Sequence, residues 1–449
     1  MKGWFKKISR STDKRTRAIK RNVSGALCLR AFDTFFDFLL VPLSLAYLTQ
    51  TNYGVWLTIN AIINWTTFFD VGITHGLRNK LVIALSNNDY SLARAYTTSA
   101  YAALGAISLL LVFVGIIVIP LIEWSFILNF ENENGIVELL LLVFISYSVR
   151  LVLNIITSVF FADQMPVYTN LVSTCSKLLI VIGIWVMTLF AKGDLLLFAS
   201  IHSAAPILVL LCSTFFGFRG KYCRIRPRLS SFDFGLMRGL IVIGLNFFVL
   251  QLSAIVLFTT DNLIISHIFS PGAVVPFSIC IKYFSIYLVL FSILSAPYWS
   301  AHTEAYTSGD TVWIRQAIKD LNRIWIYGLG VIAVMLVSFE WVKEFWISSE
   351  LAIPFGLMLQ ATLFVSLQSY NMIYTQFING VGKLRISLIT SMITILFNIP
   401  MSIFFAKHLD FGLSGVLIAT NICLVIYIIT RRKQYNLIIN NKAQGIWNK

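Results

Sequence analysis

The sequence predicts an all-α integral membrane protein of about twelve spanning helices in two six-helix bundles related by pseudo-twofold symmetry, with both termini cytoplasmic. Three observations carry that expectation: an apolar composition, recurring apolar runs of bilayer length, and a one-sided distribution of basic residues.

A soluble chain is roughly 45–50% apolar and about 25% charged. Here 57% of residues are hydrophobic and 12% are charged, with a mean hydropathy of +0.79. No water-soluble core could hide that much apolar surface, so lipid must be the solvent. A bilayer core of about 30 Å needs roughly 20 apolar residues in helix. Such runs fall near 26–49, 54–75, 97–119, 137–158, 168–190, 195–217, 239–266, 273–295, 323–341, 351–378, 384–406 and 411–430. A membrane barrel would instead show short alternating strands.

The charges thread these runs. Of 35 Lys and Arg, 28 lie in the N-terminal tail, the central loop, the C-terminal tail and the loops after the second, eighth and tenth runs. The opposite loops hold Lys192, Lys343 and Lys407, and the acids Glu123, Glu131, Glu133, Glu138, Asp194, Glu340, Glu344, Glu350 and Asp410. By the positive-inside rule the basic side is cytoplasmic. The net charge of +15 is therefore topogenic and faces an anionic leaflet, which argues against nucleic acid as a partner. Within the basic tail, Trp4, Phe5 and Ile8 fit either a short interfacial helix or a disordered segment.

The chain also repeats itself. Asn88 to Arg94 matches Gly309 to Arg315 at an offset of 221, and each match is expected to open a polar, surface-lying helix. Phe161 to Gln164 matches Phe377 to Gly380, and Asp194 matches Asp410, both at an offset of 216. Duplication of a six-helix unit explains the similar offsets. It gives a tail at 1–24, bundles at 25–217 and 239–430, a cytoplasmic linker at 218–238 and a tail at 431–449. Two like-oriented bundles suit a transporter. Pro42, Pro206 and Pro400 can bend their helices, although proline is also commoner in membrane helices generally.

Ionisable residues inside the bilayer cost roughly 2.5–3.5 kcal/mol each on insertion scales and mark function by default. Arg30, Asp33 and Asp37 share one face of the first run, where Arg30 and Asp33 could simply neutralise each other. Arg150, Lys177 and Lys282 lie in the fourth, fifth and eighth runs. Lys177 is too deep to snorkel comfortably, whereas Lys282 could reach headgroups. Asp70 and Asp261 sit near helix ends, where capping or solvation competes with an ion-coupling role. Cys28, Cys175, Cys212, Cys223, Cys280 and Cys423 lack metal-ligand spacing, so neither zinc nor a disulfide framework is expected. Walker A, dinucleotide and HExxH motifs are absent, so no cofactor is expected. No large outer loop offers room for a membrane glycosyltransferase or ligase, and His202 and His267 are only formal candidates for one.

Several short motifs resemble a known family. Tyr53-Gly54-Val55-Trp56, Phe69-Asp70-Val71-Gly72, Gly76-Leu77-Arg78-Asn79, Thr260-Asp261-Asn262-Leu263, Asn379-Gly380-Val381-Gly382-Lys383 and Gly412-Leu413-Ser414-Gly415-Val416 are similar, in order and spacing, to polysaccharide-unit flippases. These belong to the multidrug/oligosaccharidyl-lipid/polysaccharide exporter superfamily, and the likeness spans most of the chain. It implies a non-enzymatic multi-pass protein of the bacterial inner membrane. Such a protein would move oligosaccharides linked to undecaprenyl pyrophosphate for O-antigen, lipopolysaccharide or capsule assembly. A polysaccharide polymerase and a chain-length regulator are the partners this implies, besides membrane lipid. From depth and chemistry, Arg30, Arg150, Lys177 and Lys282 are the expected pyrophosphate ligands. Asp33, Asp37, Asp70 and Asp261 are the expected ion-coupling or pairing acids. The alternative is a drug/cation antiporter of the same superfamily, using the acids.

Overall fold

The computed structural model describes residues 14–70, 72–130, 135–163, 165–190, 193–241, 260–295, 297–347 and 351–448. Its principal helices are α1 Lys14–Tyr47, α2 Gln50–Asn64, α3 Ile73–Ser86, α4 Tyr90–Val118, α5 Ile136–Leu153, α6 Ile155–Ala162 and α7 Pro166–Phe190. They continue with α8 Leu195–Arg219, α9 Pro271–Ser295, α10 Pro297–Thr307, α11 Thr311–Trp346, α12 Phe355–Val381, α13 Arg385–Ile403 and α14 Leu413–Ile439. The segment around Trp4 and most of the run 239–266 lie outside the described residues.

Among the described residues, eight helical stretches are long and apolar enough to cross a membrane: 90–121, 136–162, 167–190, 195–219, 271–295, 311–346, 385–408 and 413–439. Three other expected spans, 26–49, 54–75 and 351–378, miss that mark for physical reasons. The run in α1 carries Arg30, Asp33 and Asp37, and α12 is threaded by Gln360, Gln368, Asn371 and Gln376. The second expected span is not continuous: α2 gives way to a 3-10 turn at Trp65–Asp70, and the chain restarts as α3 after Gly72. Lipid-facing stripes are plain on the helices that qualify. On α11, Tyr327, Val331, Val334, Trp341 and Phe345 recur at helical spacing and are all exposed, a pattern that only an apolar solvent tolerates.

Contacts divide the chain into two compact units, one of 1–47, 66–122 and 134–248 and the other of 48–65, 123–133 and 249–449. In the first, α1 packs along α7, and α8 packs on α5 and α7. Its core is Leu77, Leu81, Leu104, Ile155, Ile156 and Val159, from α3, α4 and α6. The linker belongs to this unit and is pinned along α4. Arg94 donates to the Arg224 carbonyl at 3.1 and 2.7 Å, and the Arg228 and Asp233 amides donate to Thr98 and Ser99 hydroxyls at 3.2 and 3.1 Å.

In the second unit α12 packs on α9, α10, α11 and α14, and α13 lies against α14. The turn sequence Tyr53-Gly54-Val55-Trp56 has a packing reason here. Gly54 of α2 lies directly on the Pro271 carbonyl at the start of α9, where any Cβ would overlap that oxygen. Gln50 Nε2 donates to the Gly272 carbonyl at 3.0 Å beside it.

The duplicated segments do not open surface-lying helices. Each starts a long membrane helix, α4 or α11, because each supplies a left-handed residue followed by an aspartate cap. Asn88 (φ 56°) precedes Asp89, and Gly309 (φ 74°) precedes Asp310. Asp89 accepts from the Leu92 amide at 2.9 Å and Asp310 from the Trp313 amide at 2.9 Å. The other repeat is looser: Asp194 caps α8, but Asp410 only precedes Gly412, which starts α14.

Candidate functional site

The α1–α7 pairing builds a charge cluster inside the first unit. Asp33 and Asp37 are one turn apart on α1, and Ser173 and Lys177 are one turn apart on α7, so the two pairs meet face to face. Lys177 Nζ lies 2.6 Å from Asp33 Oδ2 and 2.5 Å from Asp37 Oδ2. Ser173 Oγ donates to Asp33 Oδ1 at 2.7 Å, and Thr174 Oγ1 donates to the Leu29 carbonyl at 3.1 Å. Side-chain exposures of 22%, 23% and 45% for Lys177, Asp33 and Asp37 leave the outer carboxylate open. Two carboxylates on one ammonium leave the cluster one negative charge in excess.

The expected local pair of Arg30 with Asp33 is not the one formed. Asp33 turns to Lys177, and Arg30 stays exposed with no ion pair among the described residues. Arg150 is half-buried on α5 and stacks on Tyr147, its guanidinium carbon 4.6 Å from the ring centroid. Lys282 is half-buried on α9, also with no ion pair among the described residues. Asp70 acts as a cap: its carboxylate accepts from the Thr74 amide at 3.2 Å and from Thr74 Oγ1 at 2.5 Å, closing the start of α3.

Asp261 is different. It is buried in the helical segment 260–268, and its Oδ1 has no hydrogen-bond partner. Its carboxylate lies within electrostatic reach of the Cys423 thiol on α14. Asn398 of α13 donates to Thr420 Oγ1 at 3.2 Å and to Cys423 Sγ at 3.9 Å, leaving its own Oδ1 buried and unpartnered. Asp261 and Asn398 thus each leave a buried oxygen without a partner, hard donors of the kind that suit a cation or a proton. The described residues contain no cluster of three or more His, Cys, Asp and Glu of metal-binding type.

Sequence reasoning missed Arg431. It falls just past the last apolar run, yet α14 continues to Ile439 and carries it into the packed second unit. Arg431 Nη1 donates to Asn371 Oδ1 at 2.7 Å and to Thr375 Oγ1 at 2.8 Å, and its guanidinium stacks 4.6 Å from the Tyr427 centroid. Asn398 and Thr420 were missed as well, because neutral polar residues in spans carry no depth signal. His202 and His267 fit structural roles: one stacks on Phe198 at 4.7 Å, and the other has its Nδ1 3.2 Å from the Phe126 carbonyl. The six cysteines are free thiols.

No family model and no curated protein matches this chain in sequence. Solved structures match its fold over nearly its whole length. An inward-facing multidrug resistance MATE family transporter of the MOP superfamily is similar at a TM-score of 0.69 and 16% identity, covering 94% of this chain and 96% of the other. An outward-facing one matches at 0.64 and 14%, covering 95% and 96%. A MOP superfamily transporter from Pyrococcus furiosus, whose binding pocket of reverse polarity suggests a different function, matches at 0.62 and 16%, covering 95% and 96%. The chain thus has the fold of the MATE transporters and is a multi-pass helical membrane protein.

Proposed function

We propose that the chain is a gradient-driven transporter working by alternating access, and that its cargo is an oligosaccharide carried on polyprenyl pyrophosphate. It would act in the bacterial inner membrane during surface polysaccharide assembly. The observation that carries this reading is the sorting of charge in the helices. The acids Asp33 and Asp37 share Lys177, and Asp70 caps a helix. Arg30, Arg150 and Lys282 have no carboxylate partner among the described residues. Unpaired guanidinium and ammonium groups can replace the water that a pyrophosphate loses on entering the membrane. Lys177 joins them only when a proton or a cation relieves it of a carboxylate, which would couple cargo binding to ion entry and cargo release to ion loss. Asp261, with Asn398 and Thr420, is the second place where an ion could enter.

A drug/cation antiporter is the second reading. The structural neighbours named as multidrug transporters favour it over the flippase, and so does the excess negative charge at Asp33–Lys177–Asp37. That the same fold includes a transporter with a reversed pocket polarity keeps an anionic cargo compatible with it. Deleting the gene in its host and measuring surface polysaccharide, lipid-linked oligosaccharide and drug susceptibility separates the two. Loss of polymer with accumulation of single completed units supports the flippase. Intact polymer with new sensitivity to cationic drugs ends that reading and establishes the antiporter.

A further inference from the structure

We propose that Arg431 is the recognition group of a phosphate site for an anionic lipid, at the end of the second unit that the basic loops mark as cytoplasmic. Three observations converge on it. First, the guanidinium is held in place but not neutralised: its Nη1 donates to the neutral acceptors Asn371 Oδ1 and Thr375 Oγ1. No carboxylate pairs with it among the described residues. Second, its Nε is buried with no hydrogen-bond partner. A guanidinium with an unmet buried donor and no counter-charge is strongly disfavoured in a packed interior. A phosphate oxyanion, taking two parallel N–H bonds, supplies both.

Third, the surroundings have the chemistry of the headgroup layer. Tyr427 stacks on the guanidinium, and on α12 the Tyr370 and Tyr374 hydroxyls lie 3.3 Å apart, each one residue before Asn371 or Thr375. Tyr435 packs on Tyr374 with ring centroids 5.6 Å apart. Tyr370 and Tyr435 are only half-buried, and amphipathic rings in that position gather at the depth of lipid headgroups. The next two residues of α14, Arg432 and Lys433, are exposed and add positive potential toward an anionic leaflet. A purely structural clamp between α12 and α14 would explain the two Nη1 bonds. It leaves the unpartnered Nε and the uncompensated charge without a reason.

The proposal does not depend on what the protein transports, so failure of the flippase assay leaves it standing. The test uses the full chain purified in phosphatidylcholine nanodiscs, with phosphatidylglycerol or inorganic pyrophosphate as probes. Melting temperature and lipid retained in native mass spectrometry are read together. Phosphatidylglycerol is expected to raise the melting temperature of the wild type in a saturable way and to remain bound. Arg431→Lys and Arg431→Gln should weaken the apparent affinity by at least tenfold. Thr375→Val, which loosens the hold on the guanidinium but keeps its charge, should weaken the apparent affinity by less than Arg431→Gln does. A response to phosphatidylglycerol alone assigns the phosphate to a lipid headgroup, and a response to pyrophosphate as well shows that the phosphate is recognised without its acyl chains. A response to pyrophosphate alone overturns the lipid assignment. No response in the wild type, or an equal response in folded Arg431 variants, overturns the proposal. If neither Arg431 variant folds, a weakened response in Thr375→Val supports the proposal and a response equal to the wild type overturns it.

Discussion

Lys177 on α7 lies 2.6 Å from Asp33 on α1, and the same ammonium reaches Asp37, one turn further along, at 2.5 Å. The three side chains therefore form one interacting unit, and their substitutions should not add. Lys177→Met leaves two carboxylates a turn apart without a counter-charge and should lower the melting temperature in detergent. Adding Asp33→Asn should restore part of the loss, with a coupling of about 0.5–3 kcal/mol in a double-mutant cycle. Strictly additive losses would mean that the pair contributes no interaction of its own.

Asp261 offers a separate measurement. If its carboxylate and the Asn398 amide oxygen hold an ion, sodium should raise the melting temperature of the wild type in proportion to its occupancy. Asp261→Asn should abolish that rise. In sodium-free buffer the same variant should be no less stable than the wild type, because it removes a desolvated acid. A sodium response that survives in Asp261→Asn places the ion elsewhere.

His302 of α10 is fully buried among Tyr298, Trp313 and Phe377, with neither ring nitrogen hydrogen-bonded. Burial pushes its pKa down to about 4 from the ordinary 6.5. The unfolded chain therefore takes up the proton first. Stability is full above about pH 6.5 and is lost as pH falls toward 4, by about 3 kcal/mol if the histidine acts alone. Melting curves between pH 7 and 4 should show this loss, and His302→Phe should flatten it. An unchanged acid slope in that variant would assign the loss to other groups.

The paired caps Asp89 and Asp310 predict matched effects. Asp310→Ala should cost about 0.5–2 kcal/mol through the unsatisfied start of α11, and Asp89→Ala should destabilise α4 in the same direction. The Ser91 hydroxyl and the Leu92 amide hold the Asp89 pKa below its ordinary 3.8. Its contribution is therefore present above about pH 3.8 and is lost as pH falls through the folded value. Asp89→Asn keeps a capping oxygen, so it should lose that acid arm while retaining most of the stability at pH 7. Hydrogen exchange at the Leu92 and Trp313 amides would locate both effects.

The fold was largely legible because its determinants are local. Apolar run length, basic loops and the Asp89 and Asp310 repeat are each carried by a few adjacent residues and act through the bilayer, which is the same solvent everywhere along the chain. That Asp33, Asp37 and Lys177 fall within apolar runs could be read for the same reason. Partnership could not. Asp33 has Arg30 three residues away and chooses Lys177 instead, 144 residues on, because the packing of α1 on α7 brings that ammonium to its carboxylate. Where α14 ends, and so whether Arg431 belongs to a tail or to a packed unit, was likewise decided by contacts with Asn371 and Thr375 rather than by hydropathy. The sequence by itself determined which groups the membrane must hide. Only the tertiary structure decided which of them hide against one another, since an ion pair forms where helix packing places its partners and not where the chain lists them.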